Sequence, residues 1–226
     1  MSGTLYVTGT PIGNLQDISF RAIETLKKVD VVVAEDTRRS LNLLNHYALG
    51  QKKLVSLAAA KERGRVSQVL HILKEGQDVA LLTDAGMPGI ADPGALVVEQ
   101  CHREGIRVEV IPGASAVTAA FAASGFRGAF VFEGFLPRQK NLRRFLRAWA
   151  TDSRVLVCFE SPFRLRSTLE QIGQILGNRE VFIAREMTKV HQQWFRGTVQ
   201  QALEVFVEPV KGELTLVLEG AKSVEH

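Results

Sequence analysis

Val79-Ala-Leu-Leu-Thr-Asp-Ala-Gly-Met-Pro-Gly-Ile-Ala-Asp-Pro-Gly94 is an apolar run that breaks into a loop, and the loop holds three glycines, two prolines and two aspartates. The run reads as a buried strand over 79–83. An ordinary loop uses Gly, Pro and Asp as turn formers. Such density at a buried strand end also brings backbone close to a ligand, with Asp84 placed to accept from a hydroxyl or amine. Asp92 is placed to cap the next helix or to bind that ligand.

Outward from this stretch, short Val/Leu/Ile runs alternate with segments of helical period, the pattern of a parallel sheet with crossover helices. Strands are expected at 5–8, 31–35, 53–56, 79–83, 108–111, 129–133, 155–160, 181–185, 194–198 and 214–219. Helices are expected near 19–28, 37–46, 62–75, 94–104, 115–123, 139–150, 163–176 and 199–207. Through Ile111 every strand is followed by a turn signal and a helix. The later strands suit a mixed sheet with antiparallel members. The expected fold is therefore α/β, with an N-terminal lobe over 1–112 carrying a mostly parallel sheet and a C-terminal lobe over 113–226 carrying a mixed one.

The chain has 226 residues, 46% of them hydrophobic and 23% charged, so a folded chain throughout is expected. Lys and Arg number 28 against 24 acids, a mild excess. Only Cys101 and Cys158 are present, which excludes a disulfide framework and suits a reducing, cytoplasmic compartment. The start lacks a basic region ahead of an apolar one, so no secretory leader is expected. The weakly polar stretch from Gly113 to Phe126 is too short and too interrupted for a membrane span.

In open α/β sheets ligands bind beyond the carboxyl ends of strands. Four loops there carry chemistry. Gly9-Thr-Pro-Ile-Gly-Asn14 offers close-approach glycines without dinucleotide or Walker spacing, before a helix capped by Asp17 or Ser19. Ala34-Glu-Asp-Thr-Arg-Arg39 puts Asp36, a natural cap, beside Arg38 and Arg39, cations where a helix dipole disfavours them, which suggests an anionic ligand. The Asp84 loop is the third. Pro112-Gly-Ala-Ser-Ala116 opens a helix with small residues, leaving its N–H groups approachable, although Ala-rich starts also simply make good helices.

Further on, Phe159-Glu-Ser-Pro-Phe-Arg164 and Ala184-Arg-Glu-Met-Thr-Lys189 put charge directly after strands. Over 140–149, Leu142, Phe145, Leu146 and Trp149 repeat at helical spacing, with Lys140, Arg143, Arg144 and Arg147 on the opposite face. With Arg127 and Arg138 nearby, this stripe suits a phosphate backbone, although a charged helix face is commonly just solvated. The five histidines show no metal-ligand spacing with one another or with the cysteines, so no metal site is expected. No nucleophile elbow appears.

Thr10-Pro-Ile-Gly-Asn-Leu15 with Asp17-Ile18, Ala34-Glu-Asp-Thr-Arg38, Asp84-Ala-Gly86 with Asp92-Pro-Gly94, and Pro112-Gly-Ala-Ser-Ala116 resemble, in this order, the tetrapyrrole methylase superfamily. The likeness runs from about residue 4 to 220. Together with Glu133-Gly-Phe-Leu-Pro137, Phe159-Glu-Ser-Pro162, Ala184-Arg-Glu186 and Thr188-Lys189, it is more narrowly similar to the branch that methylates the ribose 2′-hydroxyl of a cytidine in 16S ribosomal RNA. The resemblance implies a two-lobed class III methyltransferase fold, a homodimer, S-adenosylmethionine as cofactor, and 16S ribosomal RNA or the small ribosomal subunit as partner.

Carried over residue by residue, it places Pro11, Asp84, Ala85, Gly86, Asp92, Ala114, Ser115 and Ala116 on the cofactor, with Phe159 and Ala184 from the second lobe. Asn14, Asp36, Arg38, Glu186 and Lys189 would face the acceptor, and Arg39, Lys140, Arg143, Arg144 and Arg147 would help bind it. A ribose hydroxyl needs a base, and Lys189 if neutral, Glu186 or Asp36 are the candidates. The chain departs from the family pattern around Leu57-Ala-Ala-Ala-Lys61, at Phe163 where His is usual, and at Gln192-Gln193. A methyltransferase of a tetrapyrrole carbon and a non-catalytic RNA-binding protein are the rival readings.

Overall fold

A computed structural model describes residues 2–57, 62–207 and 209–222; the departure read at 58–61 and His226 lie outside them. The chain divides into two compact units, Met1–Ser115 and Ala116–His226.

The first unit alternates strand and helix: β1 (Leu5–Thr8), α1 (Phe20–Lys28), β2 (Val31–Ala34), α2 (Thr37–His46), β3 (Lys53–Ser56), α3 (Glu62–Lys74), β4 (Val79–Leu82), α4 (Ala95–Arg103) and β5 (Val108–Ile111). Its five strands lie in the order β3-β2-β4-β1-β5, every pair parallel. The chain therefore steps one way from β1 to β3 and the other way from β3 to β5. Helices end up on both faces. Leu5, Val7, Val31, Val33, Val79 and Leu81 pack against α3 and α4 through Val69, Leu73, Val97 and Cys101. The alternate residues Val32, Ala34, Ala80 and Leu82 pack against Leu26 of α1 and Leu44 of α2. Burial on both faces is why these strands read as unbroken apolar runs.

The second unit comprises α5 (Ala116–Ser124), β6 (Phe130–Phe135), α6 (Gln139–Trp149), β7 (Val155–Glu160), α7 (Leu165–Leu176), β8 (Glu180–Arg185), β9 (Gln193–Thr198), α8 (Val199–Val205) and β10 (Leu214–Leu218). Its sheet runs β6-β7-β10-β8-β9, with only β6 and β7 parallel. β10 is antiparallel to both β7 and β8, so these two run the same way and end at one edge. Leu142, Leu146 and Trp149 of α6, Leu165, Leu169 and Ile172 of α7, and Val199 and Ala202 of α8 cover Leu156, Cys158, Ile183 and Leu216. β6 continues past the expected Glu133 to Phe135, through a register shift between Phe132 and Phe135 in which Gly134 takes φ +65°.

Both cysteines are buried and free, one in each unit. Burial pushes the Cys101 thiol up to about 11 and the Cys158 thiol higher still, the reverse of what a nucleophile needs. Among the described residues no helix is long and apolar enough to cross a membrane.

Candidate active site

In the first unit the strand order sets four carboxyl-end loops side by side, those after β2, β4, β1 and β5. The β1 and β4 loops are joined by a backbone bridge, Thr10 N–H to the Gly86 carbonyl at 2.9 Å and Gly86 N–H to the Thr10 carbonyl at 3.1 Å. Thr10 Oγ1 also donates to the Thr83 carbonyl at 3.2 Å. The β5 loop is tied in by contact. A Cβ on Gly9 would stand 2.7 Å from Gly113 Cα and from Met87 Sδ, and one on Gly86 would meet the Ala114 carbonyl oxygen at 3.6 Å. The glycine-lined loops of Asp84-Ala85-Gly86 and Gly113-Ala114 therefore meet at one edge.

The β2 loop joins through Asp84, whose Oδ1 accepts the Asp36 N–H at 3.1 Å and whose Oδ2 lies 3.3 Å from Arg39 Nη1. Asp36 caps α2 by accepting Arg38 N–H at 2.9 Å and holds the same residue's guanidinium at 3.1 and 2.8 Å. Those hydrogen bonds drop the Asp36 carboxyl to about 2. Arg38 and Arg39, at the start of α2 where an anionic ligand is expected, thus each have a carboxylate of the chain itself.

Thr83 Oγ1 lies 2.8 Å from Asp92 Oδ2 and 3.2 Å from Glu35 Oε2. A hydroxyl has one proton, which Thr83 shares between the two carboxyls or gives to one of them. Burial, then the charges of Asp92 and Asp84, raise Glu35, and burial followed by Asp84 raises Asp92. Asp92 does not cap α4, because Gly94 holds the cap position without a side-chain bond. Glu35 and Thr83 were not among the sequence candidates, and only their place at strand ends could have flagged them.

Beside Asp84 opens a cleft of about 430 Å³ lined by Thr10, Pro11, Leu15, Arg39, Leu43 and His46 among others, within the roughly 300–1,000 Å³ usual for small-molecule sites. Asn14, exposed, caps the single turn Leu15–Asp17 through Gln16 N–H at 3.0 Å, and the Tyr47 hydroxyl of the segment ending α2 donates to the Leu15 carbonyl. Ser19, rather than Asp17, caps α1.

In the second unit β7 and β8 deliver two turns on either side of the start of β10. Phe159, half-buried, has its ring 5.1 Å from Phe132 and 5.5 Å from Phe135. Ala184 is buried in β8. The turn after β8 holds Glu186 and Thr188 at φ +49° and +65°, a strained conformation for residues with side chains. Glu186 Oε1 accepts Glu213 N–H at 2.8 Å and the Lys189 ammonium at 2.9 Å, and Lys189 also reaches Glu213 Oε2 at 2.9 Å. Gly212 has no Cβ to strike the Glu186 side chain. The Glu213 N–H and then Lys189 lower Glu186; burial opposes the charge on Lys189, but Glu186 and Glu213 outweigh it and hold the amine protonated. A neutral Lys189 is not what this arrangement provides.

On α6, Lys140, Arg143, Arg144 and Arg147 are exposed opposite the buried Leu142, Leu146 and Trp149, as the periodicity predicts. Among the described residues none of these four cations, nor Arg138 before them, has an ion pair within 4 Å, whereas arginines elsewhere are frequently paired. No cluster of His, Cys, Asp and Glu among the described residues could hold a metal ion.

Residues 4–203 match the family model of tetrapyrrole (corrin/porphyrin) methylases. The chain is 54% identical to the ribosomal RNA small subunit methyltransferase I of Thermotoga maritima, over 96% of this chain and 99% of that protein. It is 46% identical to the protein of the same name from Halalkalibacterium halodurans, over 96% of this chain and 76% of that one. Among solved structures it resembles a cobalt precorrin-4 methyltransferase in fold, with a TM-score of 0.69 at 19% identity, over 96% of this chain and 94% of the other.

Proposed function

The chain belongs to the tetrapyrrole methylase family and is an S-adenosylmethionine-dependent methyltransferase, and from that premise we propose that its acceptor is small-subunit ribosomal RNA, at a cytidine ribose 2′-hydroxyl. The observation that carries the RNA acceptor is the α6 face, a row of cations without an ion pair among the described residues, opposite an apolar underside. The name borne by relatives 54% and 46% identical supports the same reading.

The donor set fits the cofactor. Asp84 offers a carboxylate to hydroxyls or an amine, Pro11, Leu15 and Leu43 give an apolar wall for a flat base, and the Gly86 and Gly113 loops bring main chain to the same edge. On this proposal Pro11, Asp84, Ala85, Gly86, Asp92, Ala114 and Ser115 of the first unit hold S-adenosylmethionine. When bound, it supplies an electrophilic methyl group on a sulfonium.

The chain's own task is to orient the hydroxyl and take its proton. A hydroxyl gaining a bond to carbon becomes strongly acidic, so a carboxylate of lowered pKa suffices as acceptor and a strong base is not needed. Glu186 meets that requirement, and Lys189, held protonated, is left to donate to the same oxygen and fix its position. Asp36, committed to Arg38, fixes the guanidinium that on this proposal faces the acceptor. A homodimer in the cytoplasm completes the proposal. The test is methyl incorporation into small ribosomal subunits from an unmodified strain, with the modified nucleotide mapped by mass spectrometry. A 2′-O-methylcytidine is expected; transfer to a tetrapyrrole and none to the subunit would overturn the acceptor.

A further inference from the structure

Two aromatic side chains of the second unit stand in water at one strand-end edge: Phe163 is 85% exposed and Phe135 63%. Scattered exposed apolar residues are ordinary on protein surfaces. What sets these two apart is the way they are held. Phe163 rides the turn between β7 and α7, and that turn is built around the buried Glu160. Its carboxylate accepts Ser161 N–H at 2.6 Å, Arg164 Nε at 2.7 Å and the Thr168 hydroxyl at 2.6 Å. Arg164 N–H closes the turn on the Ser161 carbonyl at 2.9 Å. Arg164 Nη2 then donates to the Leu136 carbonyl at 2.8 Å, lacing the turn to the residue after Phe135. Phe135 in turn leans on the Phe159 ring. A ring displayed on so braced a turn meets its ligand without the entropy cost of ordering a loop.

The charge nearby narrows the ligand. Three residues after Phe135 the chain enters the run Arg138, Lys140, Arg143, Arg144 and Arg147, which has no acidic residue within it. A polyanion with flat, uncovered faces satisfies both features, and single-stranded RNA is such a ligand. A duplex would use the cations but hides its base faces. A second copy of the chain would bring the same positive face against this one.

We propose that Phe163, with Phe135 at the same strand-end edge, is a stacking platform for unpaired bases of the acceptor RNA; this rests on the acceptor reading given above. The experiment pairs fluorescence anisotropy, using a labelled single-stranded ribosomal RNA segment and its duplex, with calorimetry for S-adenosylmethionine and methyl-transfer kinetics on small ribosomal subunits. F163A should weaken single-strand binding roughly 5- to 150-fold, the range of one lost base stack. F163W should restore it, duplex and cofactor affinities should stay put, and the loss should appear in KM for RNA with little change in kcat.

Single-strand affinity unaltered in both F163A and F135A overturns the platform, as does an equal loss on duplex. A sedimentation change in F163A with RNA binding intact would assign the ring to a second copy and equally overturn it. Methyl transfer that persists with unaltered RNA affinity strikes the platform alone, whereas wild-type chain inert toward the subunit strikes the acceptor reading itself.

Discussion

At the scale of single residues, the site is governed by which groups are held charged. Glu186 and Lys189 fix one another, so Glu186→Gln removes the proposed proton acceptor while keeping its shape, and also loosens Lys189. Methyl transfer in E186Q should fall by about 10²–10⁴ in kcat, the usual worth of a positioned acid or base, with S-adenosylmethionine affinity preserved. Single-turnover rates decide it, and an undiminished rate removes Glu186 from that role.

Glu35 is the opposite case, raised by burial and by Asp92 and Asp84. Its native state holds the proton more tightly than the unfolded chain does, so folding is penalised as pH rises through the raised value and not penalised below the ordinary glutamate range. Glu35→Gln should therefore raise the thermal midpoint at pH 8 and bring no gain near pH 4. Denaturation scans across that range check the sign, and a gain confined to low pH would refute it. None of this was legible beforehand. Glu35 and Thr83 lie 48 positions apart, and only the pairing of β2 with β4 makes them neighbours.

At the scale of elements, the strands were readable because the physics that buries them is local. Leu5–Thr8, Lys53–Ser56, Val108–Ile111 and Val155–Glu160 fall where the apolar runs put them. The misses come where backbone conformation or distant partners decide. The strand expected to end at Glu133 runs on through Gly134 by a bulge, and α7 starts at Leu165 rather than 163 because Glu160 and Arg164 hold the intervening turn.

The loops show the same division. The glycines of Gly9 and Gly113 signalled a close approach, but what approaches them is each other. A methyl group on Gly9 would press on main chain, which cannot rotate aside as a side chain can. Gly9→Ala should cost about 1–3 kcal/mol of stability, as overpacking does, and weaken S-adenosylmethionine binding by forcing the β1 and β5 loops apart. Calorimetry on the variant reads both effects, and wild-type affinity in a stably folded G9A would mean that these loops do not shape the cofactor site.

At the scale of the whole molecule, charge is divided unevenly. Met1–Ser115 carries 13 of the 28 basic residues and 13 of the 24 acids, so it is neutral, and the entire excess of +4 falls in Ala116–His226 with 15 against 11. A sheet proposed to hold a sulfonium has no use for surplus cations, whereas a surface proposed to meet phosphates does. If the α6 face makes those contacts, RNA binding must release counterions in proportion to the phosphates neutralised, with log K falling by about 0.7 per contact for a single strand as log salt rises. Replacing Lys140, Arg143, Arg144 and Arg147 together by Ala should then flatten that slope by up to about 3 units. Because those side chains project away from Leu142, Leu146 and Trp149, the same variant should keep its fold and its cofactor affinity. Lys27→Ala with Lys28→Ala on the neutral unit removes exposed cations from a different element, α1, and should leave the slope alone. A salt titration of anisotropy on the three proteins separates the outcomes: parallel slopes for all of them would mean that the unpaired row on α6 is merely a solvated helix face, and that the phosphates are met elsewhere.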